Sequence, residues 1–234
     1  MKKLLIIFLF SCSASWAQSV SANPTRPSAS DNAYITANKY LEMEFGLSTS
    51  EAGWSLPLLF KSSVFRNTEV GFFMNGLANY NSSDETSDLG NPGLQIKHKL
   101  IDREFFASAF VAKTEIVKNA STIFTFYDAS SFQFEYFQMD VTLGVNFYQT
   151  SSKFNNSYFY AAAISPKLNS KFGVFVEIFG DYTSNQNNLY FDGGISYALF
   201  PTIVFDASYT PENKTTGAPS VFQLGVTTTL YKIF

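Results

Sequence analysis

The chain has 234 residues, a formal net charge of −3, and 18% aromatic against only 15% charged residues. Its acidic balance argues against a nucleic-acid binder, which needs a basic surface, and a single cysteine excludes a disulfide framework or a cysteine metal cluster. Mean hydropathy is zero, and no stretch after the N-terminus reaches the ~18 uninterrupted apolar residues of a transmembrane helix.

Residues 1–17 read as a secretory signal peptide. Lys2 and Lys3 precede an apolar run from Leu4 to Phe10, and Ser15 and Ala17 are the small residues of a cleavage site after Ala17. Cleavage there removes Cys12. A competing reading acylates Cys12 as a lipoprotein, with the bulky Phe10 a poor match to such a site. Residues 18–37 are rich in Ser, Pro and Asn without a period, and read as a flexible periplasmic lead-in.

From Lys39 onward period-two segments dominate, and residues 38–234 form one unit. Leu41, Met43, Phe45 and Leu47 share one face, with Glu42 and Glu44 on the other. Trp54, Leu56, Leu58 and Phe60 repeat the pattern opposite Lys61, and Val70, Phe72 and Met74 continue it. Further strands are expected near 91–101, 104–115, 122–137, 139–150, 157–167, 171–182, 189–199, 202–210 and 220–233. The parity of the apolar set changes between Phe132, Phe134, Tyr136 and Val141, Leu143, Val145. A one-residue slip reverses every side chain, so a turn or bulge is expected near Gln138–Asp140. Residues 116–131 fit strand, loop or short helix. Long polar connections (82–91, 116–122, 150–156, 183–188, 211–220) alternate with short ones at 101–103, 168–170 and 200–201.

Half-apolar strands, an export signal and abundant aromatics together point to an all-β fold. The expected fold is an antiparallel transmembrane β-barrel of the bacterial outer membrane, of about twelve strands with ten as the alternative. Phe234 gives the terminal aromatic of such barrels, although Lys232 stands where an apolar residue is usual.

Three segments resemble a known family. DLGNPGLQIKHKL (88–100), GVFVEIFGDY (173–182) and YFDGGISYALFPTIVFDASY (190–209) are similar, in order and spacing, to stretches of an outer-membrane family. That family is named for the meta-pathway of phenol degradation. The chain departs from its pattern at Gln95 and His98. The resemblance implies a twelve-stranded barrel and a transporter role.

Alternation assigns the charges. With Leu94, Ile96, His98 and Leu100 facing lipid, Gln95, Lys97 and Lys99 face the lumen. By the same argument Glu177, Asp192, Asp206, Glu42, Glu44, Lys61 and Asn146 point inward. A charge facing lipid costs ~2–4 kcal/mol at the midplane, which favours this placement. The sequence then leaves two readings open. Either Lys97, Glu177, Asp192 and Asp206 line or gate a narrow pathway, or the charges pair and fill the interior. Transport would be passive, since nothing binds nucleotide or looks like a plug domain. No catalytic residues, metal ligands or cofactor are expected. His98 sits between lysines on the lipid side, without the partners of a hydrolase site. Asp84, Glu85 and Asp88 lack the spacing of a calcium loop and read as a solvated outer loop. The expected partners are outer-membrane lipid, lipopolysaccharide, the barrel-assembly machinery and a small solute, hydrophobic ones included. The alternative function is a structural barrel with a filled lumen whose outer loops bind a partner.

Overall fold

Alternating outward apolar and inward small or polar residues shape most of the long strands. A computed structural model describes residues 20–118, 120–150, 153–183 and 186–233. The signal-peptide reading, Cys12 and Phe234 lie outside them. The strands are β1 (Tyr40–Ser50), β2 (Gly53–Ser55), β3 (Leu58–Phe65), β4 (Thr68–Met74) and β5 (Asn79–Asn81). They continue as β6 (Thr86–Asp88), β7 (Pro92–Asp102), β8 (Phe106–Glu115), β9 (Ile123–Gln133) and β10 (Phe137–Thr150). The last five are β11 (Lys153–Pro166), β12 (Phe172–Thr183), β13 (Gln186–Phe200), β14 (Ile203–Thr210) and β15 (Val221–Lys232).

All pairings between these strands are antiparallel. β1 bonds to β3 near its start and to β2 near its end, β2 pairs with β5, and β5 with β6. The short segments β2, β5 and β6 thus extend β3, β4 and β7 past breaks at 56–57, 75–78 and 89–91. The first break falls at Pro57, which has no N–H to give the ladder. Its carbonyl still accepts from Gly46, and Leu56 donates to Ala78 across the gap. Fifteen segments less these three extensions leave twelve staves. β15 closes the circle on β1, from Tyr40↔Lys232 to Ser50↔Val221. Closure removes both sheet edges, so every stave satisfies its backbone within the wall.

The outer face is apolar and exposed: Leu94 and Ile96 on β7, Leu143 on β10, Val176 on β12, Ile195 on β13 and Phe205 on β14. An apolar belt around a closed barrel is a surface for lipid rather than water; Asp128, set in it between Phe110 and Leu143, has its two oxygens taken by the Ser108 and Ser130 hydroxyls.

Three connections differ from expectation. The parity change is made by a turn at Phe134–Tyr136, ahead of Gln138. Phe134 leaves the strand to stack on Phe137 at 4.4 Å and to meet Phe105 edge-on at 5.2 Å. Two stretches expected as long loops, 150–156 and 183–188, are mostly strand, the ends of the β10–β11 and β12–β13 hairpins. A stave of 14 residues tilted in the usual way rises ~35 Å, more than the ~25 Å apolar band. The Asn-rich ends therefore keep their ladder in water. Of the ambiguous stretch, residues 116–118 and 120–122 lie outside the strands, and β9 follows.

The largest difference lies at the N-terminus. Residues 20–37 are not a lead-in outside the barrel but a plug within it. The segment enters beside the β13–β14 turn, where Ala22 N–H donates to Pro201. It turns back around Ser28–Asp31 and leaves past Thr36 into β1. The wall makes room with small residues: Ala33 of the plug is fully buried against Ala107 and Ala109 of β8, with Tyr34 packed alongside.

Candidate functional site

Along β1 and β3, register brings Glu42 and Glu44 opposite Lys61 and Leu59. The Lys61 ammonium lies 3.1 Å from Glu42 and 2.6 Å from Glu44, all three side chains being out of solvent. It also donates to the Asn23 carbonyl at 2.6 Å. The two carboxylates in turn receive the ascending limb of the plug. Asn23 N–H donates to Glu42 at 2.9 Å, and Thr25 donates to Glu44 from both its N–H and its hydroxyl, each at 2.9 Å.

At the apex, the N–H groups of Ala29 and Ser30 each donate to a different oxygen of Glu177, both at 2.6 Å. The descending limb is held by β10, β9 and β4. Asp31 N–H donates to Thr142 (2.9 Å), Ala33 N–H to Ser131 (2.9 Å) and Thr36 N–H to Glu69 (2.8 Å). The plug has no regular secondary structure, so most of its amides lack partners of their own; Tyr34 N–H, which donates to Asn32, is an exception. Carboxylates on the wall supply them, because a buried unpaired N–H is costly.

Asp31 is the plug's own charged contact. It pairs with Lys97 at 2.9 Å and accepts the Tyr127 hydroxyl at 2.9 Å. Burial raises its pKa, but Lys97, with Lys113 and Lys61 behind it, outweighs that and holds the carboxyl below the ordinary range. Arg26 fills a notch across the closing seam. Gly46 and Gly225 are register partners, and a Cβ on Gly225 would lie 3.0 Å from Arg26 Nε and 2.6 Å from the Asp206 carboxylate. Glycine at both positions leaves space for the guanidinium, which reaches Gln223 Oε1 at 3.4 Å.

All seven lumen candidates read from the sequence (Lys97, Glu177, Asp192, Asp206, Glu42, Glu44 and Lys61) are buried on the inner wall. They do not form one network. Glu42, Glu44 and Lys61 make one cluster and Lys97 joins Asp31. Glu177 caps the apex, with Asp192 as its cross-strand neighbour. Asp206 faces Arg26 without a direct hydrogen bond. Of the other inward assignments, Gln95 is buried, Lys99 pairs with Asp102 at 2.5 Å near the turn end, and Asn146 bonds Thr125 and Ser157. His98 is on the outer face, its Nδ1 2.9 Å from the Thr68 hydroxyl. Asp84 holds Thr86 in the β5–β6 hairpin at 2.8 Å.

Several important groups were not singled out from the sequence. Glu69, Lys113 and Asp140 follow the alternation, each one residue out of phase with an outward apolar neighbour, so the signal was present. Arg26 and Asp31 lie in a stretch without a period and gave none.

Above the plug a half-open cavity of about 380 Å³ faces the long-loop end. Its floor is the plug from Thr25 to Asp31, and its wall carries Leu59, Phe73, Tyr127 and Phe159 together with Gln95 and Lys113.

No family model matches the chain, and no curated protein matches it. Its fold is shared by solved outer-membrane porins and channels. The NanC porin aligns with a TM-score of 0.62 at 10% identity, over 81% of this chain and 100% of that one. The KdgM porin aligns at 0.63 and 8% identity, over 81% and 99%. The CymD monoaromatic hydrocarbon channel aligns at 0.50 and 9% identity, over 93% and 100%. At these identities the likeness is one of fold: a porin-like, outer-membrane type of β-barrel.

Proposed function

We propose that this chain is a passive channel of the bacterial outer membrane, closed by its own N-terminal segment, for a small solute that enters the cavity from the loop end. The observation that carries this reading is the plug itself. Residues 20–37 are held by side chains of the wall rather than by a strand ladder, so they can leave without breaking the barrel. The apolar belt supports contact with membrane lipid, and with lipopolysaccharide on the loop side. Insertion by the barrel-assembly machinery would follow from the closed fold. A hydrophobic or amphipathic solute is supported by the aromatic cavity wall, by the resemblance to the phenol meta-pathway barrels and by the fold shared with a hydrocarbon channel.

A second reading, a structural barrel with a filled lumen that binds a partner through its loops, is favoured by the same plug if it never moves. Liposome swelling separates the two. Permeation by small sugars should be low for the wild type and rise several-fold in Glu177→Ala and in a chain lacking residues 20–37. Liposomes equally tight with all three proteins would refute the channel and leave the structural role.

A further inference from the structure

Gln95, Lys113 and Thr125 are register partners on β7, β8 and β9 and form one row across the inner wall, at the side of the cavity. Thr125 is engaged, donating to Asn146 at 2.7 Å. Gln95 and Lys113 differ: among the described residues neither side chain makes a hydrogen bond, and no carboxylate lies within 4.0 Å of the Lys113 ammonium. It rests instead over the Tyr127 ring, 5.0 Å from the centroid. The other lumen lysines, Lys61 and Lys97, are both paired.

The carboxylates around the cavity are already committed. Asp31 is bound by Lys97 and Tyr127, Glu44 by Lys61 and Thr25, and Glu115 accepts from Asn91 at 2.7 Å. Lys113 thus feels Asp31 and Glu44 only at a distance and, among the described residues, has no direct ion pair. Beside it the wall is aromatic. Tyr127 and Phe159 meet edge-to-face at 5.8 Å, and Phe73 closes the opposite side. The volume is in the range of small-molecule sites.

Building on the reading of the cavity as a solute site, we propose that it binds small aromatic carboxylates. The carboxylate would sit on Lys113 Nζ with the Gln95 amide as a second donor, and the ring among Phe73, Tyr127 and Phe159. A neutral hydrocarbon would use the rings but leave Lys113 and Gln95 unmatched. An aliphatic dicarboxylate would meet the aromatic wall with its second charge.

Calorimetric titration of the folded protein in detergent micelles tests this without requiring transport. On the wild type, benzoate should bind at least tenfold more tightly than benzamide or cyclohexanecarboxylate. Lys113→Met should weaken benzoate at least tenfold and leave benzyl alcohol unchanged, with heat-modifiable gel migration as the check of folding, and Lys113→Arg should retain most of the benzoate affinity. Equal binding of benzoate and benzamide to the wild type would overturn the assignment whatever the variants do, as would unchanged benzoate affinity in folded Lys113→Met. Lys113-dependent binding alongside impermeable liposomes would uphold the site while removing the channel. Permeable liposomes without Lys113-dependent binding would do the reverse.

Discussion

Glu177→Gln is the sharpest perturbation of the plug, because one carboxylate holds two successive amides of its apex. Two N–H groups, of Ala29 and Ser30, converge on its two oxygens at 2.6 Å. Glutamine keeps the shape and one acceptor oxygen, but replaces the other with a donor that faces an N–H. The substitution therefore removes at least one hydrogen bond to a charged group, about 1.5–3 kcal/mol. At 1.4 kcal/mol per decade that raises the population of the undocked plug roughly 10- to 150-fold. The barrel should not suffer in parallel. Glutamine has the same shape as glutamate, and the two lost or weakened bonds belong to the plug rather than to the ladder between β12 and β13. The assay is thiol labelling at Ser30→Cys in a Cys12→Ser background, with a membrane-impermeant maleimide on the protein in vesicles. Ser30 is only 4% exposed, so labelling reports undocking. The labelling rate should rise by the factor above, with unchanged resistance to unfolding. A rate within twofold of the Glu177 protein would refute the claim that the carboxylate anchors the plug.

Three further outcomes follow from the same geometry. Lys61→Met leaves Glu42 and Glu44 buried without their shared cation, and breaking such a pair costs about 3–5 kcal/mol; urea unfolding in vesicles should show it, and superimposable curves would count against the cluster. Gly225→Val places side-chain atoms where the Asp206 carboxylate and Arg26 Nε now lie. Amide exchange at Asn23 and Thr25 should then quicken more than tenfold while the β7–β10 wall keeps its protection, and uniform exchange across the molecule would contradict a local role for the notch. Val176→Lys on the exposed apolar belt, where the cross-strand neighbours Ile164 and Gly193 offer no counter-charge, should destabilise reversible folding into vesicles by ~2–4 kcal/mol, and a neutral effect would mean that this face does not meet lipid.

The sequence on its own determined the barrel and the facing of its walls. Alternation is a local property with period two, so Leu94, Ile96 and Leu100 reveal the outer face, and Gln95 and Lys97 the inner one, without any knowledge of neighbours. The same rule located Glu42, Glu44, Lys61, Glu177, Asp192 and Asp206 in the interior. It placed the parity turn a few residues too late because Phe134 and Tyr136, aromatic residues of a turn, copy the strand pattern in letters alone. It read the Asn-rich ends of β10–β13 as loops because polarity there records contact with water, which a strand rising above the membrane shares with a loop.

What only the tertiary structure decided is what the inward charges are for. Residues 20–37 have no period because they form no helix or strand of their own, only scattered bonds such as Tyr34 N–H to Asn32 and Asn23 to the Tyr34 carbonyl. Their amides are satisfied by Glu42, Glu44, Glu177 and Glu69, contributed by strands up to 148 positions away in the chain. A segment whose anchoring amides bond to distant strands carries no local signature. Its composition therefore matched a disordered lead-in, while closure of the twelve staves built the only surroundings in which it is ordered.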